Sequence, residues 1–213
     1  MPHHVTQRGT RRMKTFFCHG DYLAYLSFLE KSAGRQKLEI WAYCLMPNHV
    51  HLIVVPREKH SLWRGIGCAH WEYAKMINER NGWTGSLWQD RFSSFPMDEP
   101  YLLAATRYVL RNPVVADLVE NAEDWPYSSA RIHLEGNGSS LVRTEALNPM
   151  ISDWYKFLRQ PNTTDQSEDL EAHIRNGFPF GSEDFVSRLE RGSGRRLRPK
   201  KRGPAPAGIL PLS

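Results

Sequence analysis

The chain has 213 residues, 40% of them hydrophobic, enough to bury the core of one domain with an appendage or of two small domains. Lys and Arg number 28 against 23 Asp and Glu, and the surplus of +5 lies at the two ends: residues 1–20 hold Arg8, Arg11, Arg12 and Lys14 with no acid, and residues 191–203 hold seven bases with no acid. Three scattered cysteines without a CxxC pair exclude a disulfide framework and a cysteine-rich zinc site, and no uncharged apolar run approaches the ~20 residues of a membrane span. A soluble, intracellular protein is expected, with basic ends suited to a polyanion; a solvated tail is the alternative for the C-terminal charges.

In chain order, "HHVTQRG" (His3 to Gly9) alternates and predicts a strand closed by Gly9, followed by a turn-rich basic segment. From Asp21, placed as an N-cap, apolar residues recur at three and four up to Gly34, which predicts a helix. "KLEIWAYCLM" (37–46) and "HVHLIVV" (49–55) are two β-rich runs around Pro47-Asn48 and predict a hairpin. Leu62 to Gly82 carries helical spacing, Ser86 to Met97 alternates as a fourth strand, and Glu99 to Pro113 predicts a third helix, with Pro100 in its first turn and Pro113 after its end. Leaving that last helix aside, the order β α β β α β predicts an α+β, ferredoxin-like split βαβ fold: an antiparallel four- to five-stranded sheet with helices packed on it. Beyond about residue 120 the signal weakens into a short apolar-aromatic segment, an acidic polar linker at 161–171 and a basic tail too poor in apolar residues to fold alone. The expected division is a domain at 1–130, a helical extension with an acidic linker at 131–190, and a basic tail suited to a polyanion at 191–213.

Strand geometry sends His49 and His51 to one face and Val50 to the other. Two imidazoles at that spacing can ligate one metal ion, or they are buried structural histidines. The third helix offers partners. Tyr108 and Asn112 lie four residues apart in "RYVLRNP", one helical turn from each other, so an amide oxygen and a phenol could meet at the same ion. The plainer reading makes Tyr108 a core aromatic and Asn112 a C-terminal cap. Of the eight tyrosines, only Tyr108 stands on a helix with such a polar partner. His4 on the first strand could approach the pair, lie buried or face a ligand.

The segments "HVTQRG" (4–9), "MPNHVH" (46–51), "LWQDRF" (87–92), "RYVLRNPVVA" (107–116), "WPYSS" (125–129) and "RRLRPKKRGP" (195–204) resemble, in order and spacing, the REP-associated tyrosine transposases, a branch of the single-tyrosine HUH transposases. That resemblance implies a metal-dependent single-stranded DNA endonuclease and strand transferase acting through a 5′-phosphotyrosine, with Tyr108 as nucleophile and His49, His51 and Asn112 as metal ligands. The implied ion is Mg²⁺ or Mn²⁺; Mn²⁺ suits imidazole better, and zinc is compatible with the ligand types. The implied partner is single-stranded DNA with a hairpin of the REP palindrome type, in the bacterial cytoplasm at the nucleoid. A monomer is implied, although the wider family works as dimers that exchange the tyrosine helix. Val115 and Asp117 depart from the family's pattern and put DNA contacts near the helix end in question.

For DNA binding, Gln7, Arg8, Arg11 and Arg12 leave the first strand into a basic loop able to hold phosphates and read bases. Trp88 and Phe92 are candidate stacking platforms, or else core. In the tail, Arg195, Arg196, Arg198, Lys200, Lys201 and Arg202 are expected to add salt-sensitive affinity. Two rival readings stand beside this one: a rolling-circle replication initiator or relaxase, and a non-catalytic regulator that binds palindromes.

Overall fold

The computed structural model describes residues 1–136 and 139–198. Strands β1 (His3–Arg8), β2 (Leu38–Met46), β3 (His49–Pro56) and β4 (Ser93–Pro96) form one antiparallel sheet in the order β2-β3-β1-β4. Helix α1 (His19–Arg35) joins β1 to β2, and α2 (Ser61–Asn81) joins β3 to β4. This is the split βαβ arrangement: each crossover skips one strand, and a strand running the opposite way fills the gap.

Alternation along the strands divides the interior in two. Val5, Val50, Leu52 and Val54 face α1 and α2, whose Tyr25, Leu29, Ile66, Tyr73 and Ile77 are fully buried against them. Ala42, Cys44, Met46 and Ile53 face the other way and are covered by Leu102, Ala105, Val109 and Leu110 of α3 (Glu99–Val115). The helix that stands outside the ferredoxin-like order therefore closes the second face of the sheet. His49 and His51, in register with Arg8 and Thr6 of β1, project toward α3 at its edge.

Several local expectations are corrected. The fourth strand is only Ser93–Pro96, because Leu87 and Trp88 turn into the α1–α2 core; before it the chain follows β1 through the Gly9–Trp88 bridge and the Gln89 N–H to Arg8 carbonyl bond of 2.9 Å. Of the two readings of Trp88 and Phe92 the core one holds: Trp88 is 5% exposed, and Phe92 packs against the same core. Asp21 is not the N-cap of α1. Cys18 is, and Asp21 sits at the third position with its carboxylate accepting the Phe17 and Cys18 N–H groups. Pro113 lies inside α3, not after it, in its last turn, where Ala116 N–H bonds to the Asn112 carbonyl at 3.0 Å.

The C-terminal part continues the same cores. Residues 127–129 bond to the outer edge of β2 through Leu45 N–H to Tyr127 carbonyl, 2.9 Å, and Ser129 N–H to Tyr43 carbonyl, 3.0 Å, so that edge is capped. Helices α4 (Ala130–Glu135), α5 (Trp154–Arg159), α6 (Thr164–Asn176) and α7 (Glu183–Ser193) follow. Phe157, Leu158 and Leu170 from α5 and α6 join the α3 core. The acidic stretch expected as a linker is thus largely helix α6, opened by a reciprocal Thr163–Gln166 cap. Among the described residues no helix is long and apolar enough to cross a membrane.

Candidate active site

The two histidines come from a strand whose other face is fully buried through Val50 and Leu52, so their direction is fixed by the core beneath them. Their rings meet edge to face, centroids 4.8 Å apart. From across the sheet's α3 face, Tyr108 brings its ring edge-on to His51 at 5.5 Å, and the Asn112 amide is near enough to His49 and Tyr108 to influence the protonation of both. The four residues picked out by spacing therefore converge at one point, supplied by β3 and one turn of α3.

His4 of β1 completes the group: its Nε2 lies 2.9 Å from His51 Nδ1, with the two rings stacked. On the other side, His49 Nδ1 lies 2.6 Å from Asn48 Oδ1. Burial is the main cause that lowers His49 to about 4, helped by the Arg8 charge and opposed by the nearby Asn112 amide. Burial also holds His51 well below the ordinary imidazole value, with His49, His4 and Arg8 adding to it, and lowers His4 to about 3. All three rings are neutral at pH 7, the form in which imidazole has a lone pair to give. Tyr108 is raised above its ordinary value, first by burial and then by the Glu171 carboxylate; the nearby Asn112 amide and the Arg8 charge act against this.

The site opens into a cleft of about 560 Å³, polar in character, lined by Arg8, Arg12, Arg91, His51, Tyr108 and Glu171 among others. Arg8 and Arg12 of the expected DNA-contacting set thus stand at the cleft, and Arg11 is exposed beside them. Gln7 is 4% exposed and its amide donates to the Asp90 carbonyl at 2.8 Å, which ties the segment before β4 to β1. In the tail, Arg195 and Arg196 are exposed after α7, whereas Arg198 pairs with Glu183 and Glu190, each at 2.8 Å. Lys200, Lys201 and Arg202 lie outside the described residues.

Asn48, Arg91 and Glu171 were not singled out by the sequence. Asn48 is an ordinary turn residue in a hairpin, which hides any second task. Glu171 reaches the cleft only because α6 folds back onto α3, a contact for which the local sequence has no signal.

The family model described as Transposase IS200 like matches residues 1–112. A protein of Haemophilus influenzae named as a REP-associated tyrosine transposase, the branch to which the sequence motifs point, is 26% identical over 121 residues, 51% of this chain and 69% of that protein. Two of the solved structures that align with the chain are transposases. One is a REP-associated tyrosine transposase bound to a REP hairpin, 22% identical with a TM-score of 0.49, over 67% of this chain and 84% of the other. The second is a transposase from Deinococcus radiodurans, 16% identical with a TM-score of 0.40, over 55% and 90%.

Proposed function

The chain belongs to the IS200-like transposase family, whose model spans residues 1–112, and from that premise we propose that it is a metal-dependent single-stranded DNA endonuclease and strand transferase acting at REP-like palindromic hairpins. The observation that carries the reading is the meeting of Tyr108 with the His49–His51 pair, with Asn112 beside them, where His51 and Tyr108 line a cleft that also presents Arg8 and Arg12.

The donor set fits a divalent ion. His49 and His51 are neutral and close together, and Asn112 adds a hard amide oxygen. Among the described residues no group of three or more His, Cys, Asp or Glu is placed to hold a metal ion. In this reading the third protein ligand would be the Asn112 amide, giving a mixed set that Mn²⁺ accepts more readily than Mg²⁺. When bound, such an ion would neutralise charge building on the non-bridging phosphate oxygens and leave positions open for substrate.

The chain's own residues account for the rest. Tyr108 Oη attacks the scissile phosphorus, a P–O bond forms to the tyrosine, and the bond to the 3′ oxygen breaks, with the phenolic proton leaving to solvent and a proton returning to the 3′-OH. The phosphodiester energy is kept in the phosphotyrosine, so attack by the 3′-OH of another strand rejoins DNA and releases the phenol. Arg8 and Arg12 hold the flanking phosphates. Tyr108 lies against His51 within one copy, so one copy can supply both nucleophile and ligands, as a monomer at work on cytoplasmic DNA would require.

Purified protein with Mn²⁺ or Mg²⁺ and a single-stranded oligonucleotide bearing a REP-like hairpin is expected to give a protein–DNA adduct through the 5′ phosphate at the cut, with a free 3′-OH on the other fragment. Tight hairpin binding with no adduct under any divalent ion would favour the palindrome-binding regulator instead.

A further inference from the structure

The partners of the histidine pair decide where each ring carries its proton. The Asn48 side-chain amide donates to the Arg12 carbonyl at 3.1 Å. A carbonyl only accepts, so the NH₂ end of the amide is fixed there and Oδ1 is the atom 2.6 Å from His49 Nδ1. Oδ1 in turn only accepts, and a neutral His49 must therefore carry its proton on Nδ1 and its lone pair on Nε2. On the other ring, His51 Nδ1 meets His4 Nε2 at 2.9 Å, both residues 2% exposed, and the stacked geometry leaves His51 one nitrogen committed to His4.

We propose that Asn48 and His4 are positioning residues: each accepts a hydrogen bond from the Nδ1–H of one histidine, Asn48 from His49 and His4 from His51, and so leaves both Nε2 lone pairs for a common cation. The proposal rests on the metal reading above and deepens it. Histidine ligands are commonly oriented this way by the group on their other nitrogen, and losing that group weakens metal binding. Asn48 has a second arm. Arg11 and Arg12 are held at φ of 55° and 61°, a conformation costly for side chains other than glycine, and the bond to the Arg12 carbonyl helps to hold it. The same turn is pinned by Gly9 N–H to the Asn48 carbonyl at 2.8 Å and by Thr15 N–H to the Pro47 carbonyl at 2.9 Å. Asn48 thus joins the arginine loop to the orientation of His49.

The test uses the full chain without DNA. Long-range ¹H–¹⁵N spectra of the metal-free protein are expected to show His49 and His51 as Nδ1–H tautomers; Nε2–H on either ring overturns its assigned partner. Mn²⁺ affinity, read by electron paramagnetic resonance of free ion, is expected to fall ~10-fold or more in Asn48→Ala and in His4→Leu. Asn48→Asp keeps an acceptor for His49 but loses the donor to Arg12, so it should recover Mn²⁺ affinity while hairpin affinity stays reduced. His4→Gln should recover part of the loss in the same way. Parental Mn²⁺ affinity in Asn48→Ala and His4→Leu, or no recovery in Asn48→Asp, overturns the proposal. Melting curves accompany each variant, and the two conservative variants carry the comparison if a truncation does not fold. A His49→Ala/His51→Ala protein that binds Mn²⁺ as the parent does would instead refute the metal reading, with the tautomers still decided by the spectra.

Discussion

The ring of Tyr108 stands edge-on to that of His51, the centroids 5.5 Å apart and the planes at 88°. A helix on the second face of the sheet thereby places a phenol beside a histidine whose own direction is fixed by the core below. Tyr108→Phe keeps that packing and removes only the oxygen. Covalent attachment to DNA should vanish, while hairpin affinity changes less than about 3-fold, since a lone hydroxyl contributes little to binding on this scale. Tyr101, which packs on Phe180 at the start of the same helix, is the control: Tyr101→Phe should still form adduct. Adduct in Tyr108→Phe, seen as a mobility shift that survives denaturation, would remove Tyr108 from the chemistry.

Burial and the Glu171 carboxylate raise Tyr108, which keeps the phenol protonated at pH 7. Glu171→Gln removes one of these causes, and the direction follows: the pKa of Tyr108 falls, so the rise of cleavage rate with pH moves to lower pH and the rate near neutrality increases a few-fold. A single-turnover pH profile measured with saturating Mn²⁺ decides it. A profile that stays in place, or moves to higher pH, would mean that Glu171 does not act on the nucleophile.

The hairpin of β2 and β3 was legible because Pro47-Asn48 interrupts two β-rich runs, and the histidine pair because strand alternation fixes which residues share a face. What stayed hidden depends on contacts distant in sequence. Asp21 looks like an N-cap, but its carboxylate is drawn inward by a bidentate pairing with Arg80, 59 residues away, and serves α1 from its third position. Gly65 reads as a helix weakener; a Cβ there would lie 2.8 Å from Leu38 Cδ2, so the glycine lets α2 close onto β2. Gly9 ends β1 with an ordinary negative φ of −63°, and its lack of a side chain matters because a Cβ would lie 2.5 Å from the Met13 carbonyl. Alternation over 86–97 did not become a full strand because burying Leu87 and Trp88 outweighed pairing.

Arg198 is bound within the protein by Glu183 and Glu190, while Arg8 and Arg12 line the cleft. These arginines should separate in a salt titration of hairpin binding. Arg8→Ala and Arg12→Ala are each expected to lower the slope of log affinity against log salt by about 1, the signature of one lost phosphate contact. Arg198→Ala should leave the slope unchanged and instead reduce the stability of α7 against proteolysis. A slope that falls equally in Arg198→Ala would place that side chain on DNA.

Buried histidines make the fold itself acid-sensitive. Burial lowers His4 to about 3, His49 to about 4, His70 to about 3 and His133 to about 4; for His49 the Arg8 charge adds to this. In the unfolded chain these groups titrate near 6.5, so below that pH the unfolded state binds more protons than the folded state. Stability should therefore hold a plateau above pH ~6.5, fall as pH drops, and level only near the folded values, each histidine adding up to about 1.4 kcal/mol per pH unit within that window. Urea midpoints at pH 7.5, 6 and 5, taken with chelator so that no cation binds the site, should decline together with this slope. His70→Gln retains a polar partner for Tyr25 Oη, which lies 2.9 Å from His70 Nε2, and removes one titrating ring. Its midpoint should vary less with pH than the parent's. A parental midpoint constant from pH 7.5 to 5 would show that these rings are not held neutral by the fold.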